Sequence, residues 1–460
     1  MPDRRRQIAL AAAVSLLALA APAHASQLAT NLKPAYMQAA ARPTDKSDPA
    51  RHAYPVPEAP NSPACSPHFC VHWVEEGLDA PSLSDRDRDD VPESVERVLR
   101  VAERVHSVEN GKLGWREPKS DGREGGGLGK TDVYLSQIGT ELYGYAAPDR
   151  GQEDEEGRIP RRLHGYLVLD NDFSAFEFPG TDPLEVLQVT FAHEYNHILQ
   201  FGYDAYQDPW FAESSATWME DQVFNGINDY LVFVRDWVRL WETPLTTNST
   251  IKEYGSAVWN QWLTRRYGPA ILRKAWAGAI DAKPAGFSVG SYERAIRAAG
   301  PSNLSRDFTR FAAATTEWRT GKGFRESRLF PDMPRQGHLP LDGEPLTRLL
   351  NHTTFQLLRV PAREGRAVAV HLTPPRGTAA GLALVGRLGS ERHGKPALRI
   401  AYAREGGRLT VRLPDPARFS RITAVVVNAD ARARGFSPRR LDWLYLTDGL
   451  PFEVSGELIR

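Results

Sequence analysis

With 460 residues, 41% of them hydrophobic and 25% charged, the chain is long enough for two or three cores, and its composition excludes disorder throughout. Its 57 Lys and Arg balance 57 Asp and Glu, so no overall field favours nucleic acid or an anionic membrane surface. Arginines at 4–6, an apolar run over 8–21 and Ala23-His24-Ala25 have the pattern of a signal peptide, residues 1–25, cleaved after Ala25. No later stretch reaches the roughly 18 apolar residues of a membrane span. The sequence therefore predicts an exported chain, secreted or periplasmic, with no membrane span.

Residues 26–63 are rich in Pro, Ala and small polar residues without periodicity, and read as a flexible mature N-terminus or a propeptide. Folding is expected to begin near Cys65. Cys65 and Cys70, in CSPHFC, are the only cysteines, and in an oxidising compartment they are expected to form a disulfide. A metal cluster with His68 and His72 is the alternative, but structural zinc sites usually draw their ligands from two separated pairs.

Over 64–340 the runs FCVHWV, TDVYLSQI and HGYLVLD alternate with a predicted helix at 92–108, whose Val95, Val98, Leu99, Ala102 and Val105 share a face. From 183 to about 335 helical periodicity dominates, so this domain is α+β with a mostly helical C-terminal half. Seven of the eleven tryptophans fall between Trp210 and Trp276, where core packing between helices accounts for them. Over 345–460 the segments TTFQLLRV, RAVAVHLT, ALRIAYA, RLTVRL, RITAVVVNA and LDWLYLT, separated by Gly, Pro and Asp turns, predict an antiparallel β-sandwich domain.

The chemistry centres on HEYNH. Asp182 as N-cap, Pro183 at the first helical position and Glu185 predict a helix over 183–202. His193 and His197 then lie one turn apart on one face and can share a zinc ion. Glu194, about 100° round the helix, flanks that ion as a general base. A third ligand is needed. WFAESSATWME supplies Glu213, which shares a helical face with Ala216, Thr217 and Glu220; Glu220 would stand behind it and orient a histidine. Asp204, Asp208 and Glu220 are the rival third ligands. Two His and one Glu leave the fourth zinc position for water.

A second motif, DRDRDDVPESVE, has the ligand order of a calcium loop: Asp85, Asp87, Asp89, the Val91 carbonyl, Glu93 and Glu96. Its predicted role is stabilising. Asp90 stands where glycine normally makes the sharp turn, Arg86 and Arg88 oppose the ion's charge, and GLDAPSLS allows no entry helix, so a solvated charge run is the alternative. GGGLGKT, 125–131, resembles a phosphate-binding loop but has Glu124 at the required glycine and a strand after it. The acidic run EDEEG at 153–157 reads as a solvated loop, and His164, His338, His352, His371 and His393 lack ligand spacing.

HEYNH followed by Trp210, Glu213, Ala216 and Glu220 in a W-x-x-E-x-x-A-x-x-x-E pattern resembles the gluzincin zinc metallopeptidases. HEYNHILQFGYD with WFAESSATWMED is more closely similar to a group of secreted bacterial metalloproteases, over about 68–276. The resemblance implies a zincin-like fold for 64–340, with His193, His197 and Glu213 as zinc ligands and Glu194 as general base. Tyr254, in IKEYGSAVW, resembles the aminopeptidase tyrosine that stabilises an oxyanion. The Gly-x-Met-Glu-Asn segment by which that branch holds a substrate amine is absent, which favours cleavage within protein or peptide substrates. The alternatives are a zinc hydrolase of another bond and a non-catalytic binding protein with a structural zinc. The sandwich is a candidate binder of glycan or protein.

Overall fold

The computed structural model describes residues 41–45, 53–140, 142–152, 160–247, 251–280, 283–320, 324, 326–388, 396–431 and 448–460. The signal peptide, most of 26–52, EDEEG, His393 and LDWLYLT lie outside these. No described helix is long and apolar enough to cross a membrane. The chain carries both helices and sheets, with helices in its middle and sheets in its C-terminal region. It divides into two compact units, one reaching Tyr230 and including Ile251, the other containing the rest from Leu231.

In the first unit, β1 (Ala64–Cys65), β2 (Phe69–His72), β3 (Thr131–Ser136), β4 (Gly144–Pro148) and β5 (Gly165–Asp170) form one sheet in the order β1-β2-β3-β5-β4. The pairs β2–β3 and β3–β5 are parallel, while β1–β2 and β4–β5 are antiparallel. Both faces are covered. Phe69 packs edge-on against Phe191 and Tyr195 of the long helix α2 (Pro183–Asp204), with ring centroids 5.4 and 5.1 Å apart. Helix α1 (Glu93–His106) runs into a π-helical turn, Ser107–Lys112, and buries Val95, Val98, Val101, Ala102 and Val105. Asp182 caps α2 as expected, its carboxylate accepting the Leu184 and Glu185 N–H groups. Helix α3 (Pro209–Val223) follows after residues 205–208.

Because strand side chains alternate, Tyr134, Tyr166 and Val168 point away from α2, and the segment before Cys65 covers them. Tyr54 packs on this cluster and its hydroxyl donates to the Leu135 carbonyl at 2.8 Å; the Tyr166 hydroxyl donates to the Ala41 carbonyl. Arg42, 2% exposed, pairs with Asp121, Asp132 and Asp149. Folding therefore starts earlier than the expected Cys65, since the described part of 26–63 is packed against the sheet rather than extended. The reason is a buried guanidinium whose carboxylate partners come from far along the chain.

The second unit contains α4 (Leu231–Arg239), α5 (Lys252–Gly255), α6 (Ala257–Tyr267), α7 (Ala270–Ala277), α8 (Val289–Ala299) and α9 (Leu304–Thr315). Its strands are β6 (Leu346–Leu350), β7 (Thr354–Val360), β8 (Ala367–Thr373), β9 (Ala380–Leu388), β10 (Ala397–Ala403), β11 (Leu409–Pro414), β12 (Phe419–Asn428) and β13 (Leu450–Ile459). Two antiparallel sheets, β10-β9-β12-β7 and β11-β8-β13-β6, share one core that includes Leu358, Leu384, Val426, Val370, Leu413 and Phe452. Strands β6, β9 and β13 were not predicted.

The contact boundary falls at Tyr230/Leu231, whereas the sequence places a domain boundary at 340–345. Helices α4 and α9 belong with the strands for a physical reason. Phe308 packs edge-on and Trp237 tilted against Phe355, with centroids 6.1 and 6.4 Å away, and Thr309 lies so close to Gly381 that any side chain there would collide with it. Of the seven clustered tryptophans, Trp210, Trp218, Trp237, Trp259, Trp262 and Trp276 are buried, in keeping with core packing.

Candidate metal centre

Helix α2 is buried along nearly its whole length, which brings His193 and His197 under α3 rather than to the surface. One nitrogen of each and one Glu213 oxygen lie within 4.8 Å of one another. Glu213 Oε2 is 3.1 Å from His193 Nε2 and 3.4 Å from His197 Nε2.

The opposite ring nitrogens are tied. His193 Nδ1 lies 2.7 Å from Glu220 Oε1, which when ionised can only accept. His197 Nδ1 lies 2.8 Å from Gln200 Oε1, and the Gln200 amide nitrogen donates to Asn196 Oδ1, the Ala212 carbonyl and Ser215 Oγ. Those three acceptors fix which end of the amide faces His197, so Nδ1 carries the proton and Nε2 presents a lone pair. The Asn196 amide in turn donates to Glu109 Oε2 at 2.9 Å; Glu109 is fully buried, and burial pushes its carboxyl well above the usual range.

This donor set fits a tetrahedral zinc. Ligands at about 2.0–2.1 Å from a tetrahedral ion stand roughly 3.3–3.4 Å apart, and the two observed N···O separations, 3.1 and 3.4 Å, match that edge. Burial opposes charge on Glu213, yet His197 and His193 hold its carboxyl far below the usual range. Glu220 is pushed up to about 7 by burial, its bond to His193 pulling the other way.

Glu194 is partly open to solvent and accepts the Ala146 backbone N–H, so it sits beside β4. Burial raises its pKa, and His193 and His197 oppose the rise. Among the described residues β4 pairs only with β5 and is the edge strand of the sheet.

No family model matches the chain, and no curated protein is significantly similar to it.

The predicted residues are distributed unevenly. Among the rival ligands, Asp204 and Asp208 stand outside the histidine group and Glu220 backs His193. Tyr254 is carried by the second unit, on α5, its ring 5.1 Å from Phe233. Asp85, Asp87 and Asp89 do converge, and Asp90 takes the left-handed conformation, φ 68°, that the glycine position requires. Glu93 and Glu96 are outside that group: Glu93 Oε1 accepts the Arg86 N–H at 2.7 Å, and Glu96 pairs with Arg100. Arg86 points outward, 87% exposed. Cys65 and Cys70 are bonded, opposite each other across β1 and β2. His72 turns inward instead of toward them, between Glu58 and Asp132.

Sequence reasoning missed Gln200, Asn196 and Glu109. Gln200 was within reach, since it lies three residues after His197 on one helix and such pairs are neighbours. Glu109 comes from a turn 87 residues from Asn196 and carries no local signal.

Proposed function

We propose that the chain is an exported zinc metallopeptidase with a zincin-like catalytic domain, cleaving within protein or peptide chains. The observation that carries this reading is the convergence of His193 Nε2 and His197 Nε2 on one Glu213 oxygen, with Glu194 alongside and engaged in no ligand pair. Zinc at that position supplies Lewis acidity, polarising a carbonyl and acidifying water. Glu194 takes the proton of the attacking water and passes it to the leaving amine. Glu220 and Gln200 keep the histidines in the tautomer that offers Nε2.

The position of β4 at the sheet edge beside Glu194 is compatible with an extended substrate added as a further strand. A purely structural zinc would leave Glu194 without a role, which favours catalysis over the binding-protein alternative. Tyr254 remains the proposed oxyanion donor on the resemblance alone. The loop Asp85, Asp87 and Asp89 is proposed as a calcium site that stabilises the start of α1, with the Val91 carbonyl, Glu93 and Glu96 as further oxygens. The deciding experiment incubates zinc-loaded protein with unfolded polypeptides and maps products by mass spectrometry. Internal cuts support the proposal, release of single N-terminal residues makes it an aminopeptidase, and no cleavage across a broad panel favours the binder.

A further inference from the structure

Outside the histidine group of α2, the first unit assembles another set of imidazoles and carboxylates. His68 sits on the loop closed by Cys65–Cys70, and Glu103 and His106 lie one turn apart on α1. One ligand atom from each of the three lies within 4.8 Å of the others. His68 Nδ1 is 2.8 Å from Glu103 Oε2, and the two imidazoles stack with centroids 3.6 Å apart. Glu103 is fixed from its other oxygen, which accepts the Ser66 hydroxyl at 2.6 Å and the His68 N–H at 3.0 Å. Behind His106, Glu117 Oε2 is 2.9 Å from Nε2.

We propose that His68, Glu103 and His106 hold a divalent transition-metal ion of the zinc class, at a site separate from His193, His197 and Glu213. Two features favour a metal over a simple ion-pair cluster. The His106 ring is backed by a carboxylate on Nε2, the arrangement that orients metal-binding imidazoles, leaving Nδ1 for the ion. The mixed imidazole and carboxylate donors suit zinc better than calcium or magnesium.

The ion would take the place of the direct His68–Glu103 contact. His68 turns its ring out of the stack to converge on it; its side chain is 44% exposed, against 11% for His106, so His68 is the one that moves. The site borders an open cavity of about 170 Å³, lined by His68, His106, Glu117, Lys119, Lys130 and Tyr195, through which water or a small anion can complete the coordination. A filled site would tie the disulfide loop to α1.

The test is zinc stoichiometry and affinity on the full chain after equilibration at fixed free Zn²⁺. Four proteins are compared: wild type, His68→Ala, His193→Ala with His197→Ala, and the triple variant. Two ions in wild type, one in His68→Ala, one in the double variant and none in the triple support the proposal. His68 is exposed on a cross-linked loop, so its removal leaves the fold intact, which circular dichroism checks. Zinc content and affinity in His68→Ala equal to those of wild type overturn the proposal. The arms keep this inference separate from the peptidase reading: loss of one ion in His68→Ala supports it whether or not the double variant loses another.

Discussion

Gln200 Oε1 lies 2.8 Å from His197 Nδ1, while its amide nitrogen is held by three acceptors on α2 and α3. The amide cannot flip without placing its N–H₂ against a ring N–H. Gln200→Leu should therefore keep the fold but release the His197 ring. Zinc affinity, read by competition with a chromogenic chelator, is expected to fall about 10- to 100-fold. Unchanged affinity would show that packing alone orients the imidazole.

Glu194→Gln keeps the shape of the side chain and its place beside Ala146 while removing the proton acceptor. Cleavage of an unfolded protein should drop by roughly 10² to 10⁴, with zinc content unaltered. Glu213→Ala should behave in the opposite way, losing the metal itself. Equal turnover by wild type and Glu194→Gln at matched zinc would remove Glu194 from the mechanism.

Calcium should raise the melting temperature, because an ion that binds only the folded loop stabilises it by mass action. Asp85→Ala with Asp87→Ala should abolish the dependence. A wild-type melting curve that does not move between chelator and millimolar calcium would eliminate the loop as a significant site.

Arg42→Met takes the guanidinium from three buried carboxylates, of which Asp132 keeps His72 and Asp149 keeps His164. Removing one partner of a buried pair costs about 3–5 kcal/mol, and urea unfolding near neutral pH should show a loss of at least that order. The pH dependence follows from Asp149. Burial works against its charge, but the bonds from His164 and Arg42 hold its folded pKa below the ordinary value. A lowered folded pKa contributes stability that is present above the unfolded value of about 3.9 and is lost as pH falls through the folded one. Without Arg42 that contribution shrinks, so the wild-type and Arg42→Met stabilities should converge on acidification. Parallel curves would mean that the carboxylates do not sense the guanidinium.

What the sequence disclosed follows from how local each signal is. Asp182, Pro183 and the four-residue histidine spacing mark a helix and a face, so the placing of His193 beside His197 was readable from one turn of chain. Glu213 and Glu220 needed only a second helix nearby. Strand β9, AGLALVGRL, escaped because its residues are buried on both faces over 380–386, so it shows no alternation. Strand β4 is short and alanine-rich, with little strand propensity of its own. The boundary at 340–345 marks where composition changes, whereas contacts follow the aromatic side chains that α4 and α9 pack beside Phe355. Arg42 had no readable partner, since its three aspartates are 79, 90 and 107 residues away.

Those separations order events in time. A chain emerges from the ribosome N-terminus first, so the guanidinium is made early and its last carboxylate only after Asp149 has appeared. Until then the segment around residue 42 lacks its full set of partners, and contacts spanning this much sequence form slowly. The sheet face bearing Tyr134 and Tyr166 is thus uncovered through the first stage of folding and sealed by the oldest part of the polypeptide. A nascent chain clipped ahead of Asp149 would lose its cover before it could use it, whereas a finished molecule holds that cover beneath three ion pairs.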